Sequence, residues 1–135
     1  MLMLAIIATT APLPLADDDG QPYEETLMPR GFTTFRNKDR LPLLVEDDGL
    51  RIVGSLVNIH YEKLAVVADV IFSGRAIARD LESAIREGHL QFIQPRYSVQ
   101  RRERSPSGNV TVTAWTLRGA VATIFPADPG ARFIP

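Results

Sequence analysis

Residues 64–88 read LAVVADVIFSGRAIARDLESAIREG, and this stretch decides the fold class. From Leu64 to Phe72 it is apolar on both alternating faces, interrupted only by Asp69. A strand of that kind is covered on both sides, so it belongs at the centre of a sheet. Then the period changes. Ile77, Leu81, Ala84 and Ile85 recur at helical spacing and share one face, while Arg75, Arg79, Asp80, Glu82, Arg86 and Glu87 occupy the rest. The spacing predicts a helix over about 75–87, with Ser73 as N-cap and Gly88 in the left-handed position that ends a helix. Such a helix lays one stripe on a sheet and turns the other to water.

On both sides of this unit the pattern is that of strands. Upstream, Leu2 to Thr9 reads as a buried first strand running into a loop. Pro12 and Pro14 follow closely and no basic residue precedes Arg30, which argues against a secretion signal. Tyr23 to Met28 is a short strand broken by Pro29-Arg30-Gly31-Phe32. Leu41 to Val45 ends in the turn Glu46-Asp47-Asp48-Gly49, and Leu50 to Val57 follows with a possible bulge at Gly54. Downstream, Leu90 to Arg102, kinked at Pro95, and Asn109 to Leu117 form a hairpin around the loop Arg104–Asn109. A last strand runs from Gly119 or Ala120 to Phe125, and 127–135 is an irregular tail. Trp115, among alternating β-branched residues, is expected in the core. About seven or eight strands with one helix predict a single α+β domain over 1–135, a small, mainly antiparallel β-barrel or strongly curved sheet.

Composition narrows the function. The 135 residues include 45% hydrophobic and 23% charged side chains, with a formal net charge of −1, which gives no general attraction to nucleic acid or to an anionic membrane. No apolar run approaches the roughly 20 residues that span a bilayer. Without cysteine there is no disulfide, thiol catalysis or cysteine-bound zinc. His60 and His89 stand apart with no third histidine, so neither a metal site nor a cofactor is expected. Asp17-Asp18-Asp19 lacks the spaced ligands of a calcium loop and reads as a solvated turn. Arg96, Arg101, Arg102 and Arg104 are locally basic, but Glu103 interrupts them and no aromatic stacking platform accompanies them, so nucleic acid is not the expected partner.

Several segments, in order, resemble the prohead (head maturation) serine protease family of tailed bacteriophages. Tyr23-Glu24-Glu25-Thr26-Leu27-Met28-Pro29-Arg30-Gly31-Phe32 resembles the family's glutamate-rich strand and its Pro-Gly-Ala-Phe turn. Leu41-Pro42-Leu43-Leu44-Val45-Glu46-Asp47-Asp48 resembles the apolar strand that ends in Trp-Asn-His-Asp, and Ile52-Val53-Gly54 the Ile-Gly strand after it. The helix ending at Glu87-Gly88 resembles the one before the nucleophile strand. Tyr97-Ser98-Val99-Gln100 sits where the family has Ser-Ile-Gly-Phe, and Phe125-Pro126-Ala127-Asp128-Pro129 resembles the closing Pro-Ala-Asn-Pro segment. The resemblance covers nearly the whole chain and rests on order and spacing. It implies a closed barrel with a packed helix, related in fold to herpesvirus assembly proteases, and serine peptide hydrolysis inside an immature head.

The catalytic positions implied by the resemblance are mostly not filled. Ser98 stands at the nucleophile position, but Asp47 stands at that of the histidine and Gly119 at that of the acid. A serine hydroxyl needs a neighbouring base, and a carboxylate with an unperturbed pKa near 3.9 is a weak one at neutral pH. His60, His89 and Lys63 are the substitutes to weigh. The expectation is therefore a phage head structural protein, a capsid decoration or cement protein on an inactive barrel. It would bind the major capsid protein, with Arg96, Arg101, Arg102 and Arg104 as possible contacts, as a homo-oligomer, a trimer by the symmetry of capsid-bound proteins. The alternative is an active maturation protease with Ser98 as nucleophile.

Overall fold

A computed structural model of the chain describes residues 2–135. Its elements in chain order are β1 (Met3–Ala8), β2 (Leu13–Ala16), β3 (Pro22–Leu27), β4 (Phe32–Thr34), β5 (Arg40–Glu46), β6 (Leu50–Glu62), β7 (Ala65–Phe72), α1 (Ala76–Arg86), β8 (Phe92–Arg104), β9 (Val110–Thr123) and β10 (Arg132–Ile134). The order β9-β5-β6-β7-β1-β10-β8 returns to β9 through the β8–β9 hairpin, closing a barrel of seven strands. Closure leaves the ring without a free edge. Antiparallel pairing dominates, as the sequence predicts, and the parallel pairings fall on β9, which takes β3, β4 and β5 in succession along one side.

The central strand and the helix lie where the 64–88 pattern puts them. In β7, Val66, Val67, Ala68 and Val70 are buried between β6 and β1. Leu64 is not part of the strand: Lys63 and Leu64 turn the chain with φ of 49° and 65° between the paired Glu62 and Ala65. This tight turn has none of the Asn-Gly chemistry that advertises it. The helix packs on β6 and β7 and buries Ala78, Leu81 and Ile85, Leu81 and Ile85 contributing about 1.5–3 kcal/mol each. At its end Gly88 takes φ +85°, its N–H donates to Ile85 O, and His89 N–H donates to Ala84 O. These are the paired bonds of a glycine-terminated helix. Ser73 is not the N-cap. Its N–H is held by Val53 O at 2.8 Å, tying it to the barrel, and the cap position falls to Arg75 without a side-chain bond.

Four strand readings change. Leu13–Ala16 is a strand, not a loop, paired with Pro22–Glu25; Pro14, which has no N–H to give, is tolerated because β2 has a partner on one side only. β6 runs past Val57 to Glu62, across a bulge at which Asn58 takes φ 52°. The chain does not break near Gly119: β9 continues from Val110 to Thr123, with Arg118 bulged between the pairs Tyr97–Leu117 and Arg96–Gly119. A Cβ on Gly119 would lie 2.9 Å from Pro42 O, so glycine there lets β5 come close. The tail is irregular only to Ala131, after which β10 pairs with β1 and β8.

Gly54 serves a similar purpose. Leu43 pairs with Gly54 and Leu44 with Ile52, which leaves Val53 as the extra residue of a bulge. A Cβ on Gly54 would stand 2.2 Å from Ile71 O, with the neighbouring backbone also in the way. Gly54→Ala is expected to lower stability by about 1–3 kcal/mol, because a strand has to shift; urea unfolding measures it.

Candidate functional site

Ser98 lies on β8 opposite Thr116 of β9, partly exposed on the wall of the barrel. The bulge of Arg118 on β9 brings its guanidinium to the serine: Nη1 donates to Ser98 Oγ at 3.3 Å, and the same group stacks 4.1 Å from the Phe35 ring. Guanidinium has no acceptor and stays charged, so it cannot take the serine proton.

Strand register locates the other candidate residues. Val45, Ala122 and Ile93 share one level across β5, β9 and β8. Ser98 lies further down the wall from that level, and Asp47 lies beyond it the other way, in the β5–β6 turn. At about 3.3 Å per residue they stand roughly 20 Å or more apart. Asp47 is exposed, its N–H bound to Gly49 O and its carbonyl to Arg51 Nε. Gly119 is near Ser98, opposite Arg96, but has no side chain to offer. His60 is on β6, three strands around from β8, which at about 4.8 Å per spacing is roughly 14 Å. Its Nδ1 donates to Asn58 O at 2.7 Å, and Nε2 stands 3.4 Å from Glu62. His89 follows the helix, exposed, and Lys63 is in the β6–β7 turn. The structure does not assemble Ser98 with Asp47, His60, His89 or Lys63.

The arginines divide between two sides. Arg102 faces Val112 and Arg104 faces Val110, both buried positions of β9, whereas Arg101 faces Ala114 and Arg96 faces Gly119. Residues paired across strands share a face. Arg102 and Arg104 therefore share the face of β9 on which Val110 and Val112 pair with Glu25 and Leu27 of β3, and Arg104 also donates to Gly108 O.

Beneath them is a polar group that the sequence reading missed. Glu25 is 4% exposed and accepts a 2.8 Å hydrogen bond from the Tyr97 hydroxyl. A signal was present: Tyr23, Glu25 and Leu27 alternate on one face of β3, so an inward Leu27 implies an inward Glu25. Burial first, then the hydrogen bond and charge of Glu25, push the Tyr97 phenol well above its ordinary value, with Arg102 opposing. The folded chain holds this proton more tightly than the unfolded one does, so the stabilisation is complete below the unfolded value, about pH 10, and is lost as pH rises through the folded value. Tyr97→Phe is expected to flatten the fall in melting temperature above that pH and to remove the late part of the tyrosine absorbance titration. At neutral pH it leaves Glu25 without its donor, at about 1–3 kcal/mol.

Tyr97 also lines a small apolar cleft, of about 70 Å³, between Leu13, Leu27, Ile93 and Pro95, with Asp128 at another point of its wall. Asp128 is 5% exposed and engaged: Oδ2 accepts from Thr9 N–H and Thr9 Oγ1, and Oδ1 accepts from Gly130 N–H. Asp17 is likewise occupied in its own turn, accepting from the N–H groups of Asp19 and Gln21. Among the described residues no three His, Asp or Glu side chains gather as a metal site would need, and no helix is long and apolar enough to cross a membrane. Compared with protein-family models, with curated proteins and with solved structures, the chain matches none of them.

Proposed function

We propose that the chain is a structural protein of a phage head: a barrel of the prohead-protease type without the protease's chemistry, docked on the major capsid protein as a decoration or cement protein. The observation that carries the non-enzymatic half of this reading is the state of Ser98, whose hydroxyl is bound by a group that cannot accept its proton. The head assignment rests on the ordered segments from Tyr23 to Pro129 that resemble that family. The closed barrel with one helix is the kind of fold the resemblance implies. A rigid closed wall presents a fixed surface to a lattice, and the exposed arginines at 96, 101, 102 and 104 offer charge-assisted contacts to acidic capsid side chains.

Two measurements test the two halves. A fluorophosphonate probe is expected to leave the purified chain unlabelled, and Ser98→Ala to change nothing; labelling of Ser98, or cleavage of a scaffold on co-expression, rejects the non-enzymatic half. Co-purification with heads assembled from the cognate capsid protein, in many copies per head, is expected. Its failure to bind rejects the head assignment.

A further inference from the structure

We infer that the outer wall formed by β6, β5, β9 and β8 is a self-association face, on which a second copy of this chain docks about a two-fold axis. Ile52 pairs with Leu44, Leu44 with Val121, and Val121 with Gln94, so these four make one row across the wall. The neighbouring row holds Leu50 opposite Glu46 and Thr123 opposite Phe92. Leu43, Ala120, Ala122 and Ile93 alternate with these residues and are buried in the core, so both rows face outward. Ile52 is 63% exposed and Leu50 48%, and Phe125, just beyond β9, is 80% exposed. Glu46, Leu50, Gln94, Arg96, Val121 and Thr123 line one shallow depression of about 320 Å³, which sets the two rows side by side.

Exposed apolar side chains grouped on one wall, here Ile52 and Leu50 beside the half-buried Leu44 and Val121 with Glu46, Gln94 and Thr123 among them, mark an interaction surface. Its charges say which partner fits. Glu46, Asp47 and Asp48 outnumber Arg51 at one corner, at the β5–β6 turn, leaving it net acidic, and Arg96 stands at the diagonal corner, opposite Gly119. The ion pairs found among the described residues, His60–Glu62 and Arg86–Glu82, involve neither corner. A two-fold axis lying in the interface, along the other diagonal of the face, sets each acidic corner against the arginine of the other copy. The surface is therefore complementary to itself. The inference does not rest on the head-protein reading.

Sedimentation of the full chain tests it. At micromolar concentration the expected mass is twice the 14.9 kDa of the chain. Arg96→Glu alone, and Asp47→Arg with Asp48→Arg alone, are each expected to weaken self-association by about tenfold or more, since like charges then meet at both corners. Mixing the two variants restores the dimer, because each reversed corner now meets its opposite. Ile52→Ser, which changes no charge, also weakens it. A monomer at every concentration, a trimer, or reversal variants that dimerise like the parent chain overturns the proposal, as does a mixture that stays monomeric.

Discussion

Trp115→Ala is expected to destabilise the chain by about 3–5 kcal/mol, the range for emptying a large aromatic site in a core. That corresponds to a drop in melting temperature on the order of 10–20 °C for a domain of this size. Trp115 is fully buried on β9, with the Tyr97 ring 5.7 Å away edge-on and the Phe32 ring 6.0 Å away. Its indole N–H donates to Met28 O at 2.8 Å. That bond pins the chain leaving β3 just before the tight turn at Pro29–Gly31, and β4 then pairs alongside Trp115 itself. The turn itself sits close against β9: a Cβ on Gly31 would stand 2.0 Å from Thr113 O. Trp115→Phe separates the contributions, since it keeps most of the volume and removes only the indole bond to Met28 O, which still accepts from Gly31 N–H at 2.9 Å; the loss of that one bond is expected to cost about 0.5–1.5 kcal/mol. Thermal and urea melts of the two variants measure the difference. Equal losses would mean that the hydrogen bond, not the filled volume, holds this part of the core.

Asp128→Ala is expected to cost roughly 2–4 kcal/mol, because two backbone N–H groups and a hydroxyl, all part-buried, lose hydrogen bonds to a charged acceptor and recover only part of that loss from water. The carboxylate joins Thr9, at the end of β1, to Gly130, ahead of β10. Between them these bonds set the approach of β10 to β1, where Phe133 and Ala5 pair and are both buried. Without them β10 is held only by its pairing with β1 and by the bonds Ile93 N–H to Ala131 O and Phe133 N–H to Gln91 O, so the ring loosens first between β1 and β8. Amide hydrogen exchange is the sensitive readout: protection should fall at Ala5, Ile93 and Phe133 before it falls on β6 and β7. Asp128→Asn, which retains one acceptor oxygen, should lose about half as much. Uniform loss of protection across the whole barrel would contradict a local clamp.

The residues weighed as catalytic could be named before any fold was known. That Ser98 stands without a histidine or an acid is what the resemblance implies from residue types alone. The side chain that does meet Ser98 was not visible. Arg118 reaches Ser98 because one extra residue bulges out of β9, and nothing in RGA at 118–120 announces a bulge rather than a break. The chain between Leu117 and Ala120 looked like a strand end for that reason. Pro14 misled in the same way. A proline removes a donor, and whether that matters depends on which side of the strand has a neighbour.

Residue order alone settled what depends on near neighbours. The continuous apolar run of β7, the helical period from Ile77 to Ile85 and the glycine that ends it act within a few positions, where chain connectivity already holds the partners together. Assembly settled the rest. Glu25 and Tyr97 are 72 positions apart, and Thr9 and Asp128 are 119 apart. The closure of the ring by β10 and the three successive partners of β9 are contacts of the same long range. A carboxylate in an apolar strand looks like a surface residue until its donors arrive from elsewhere in the chain. Desolvating it is tolerable only when they do, so burial and pairing at Glu25 and Asp128 come into being together, with the folded barrel.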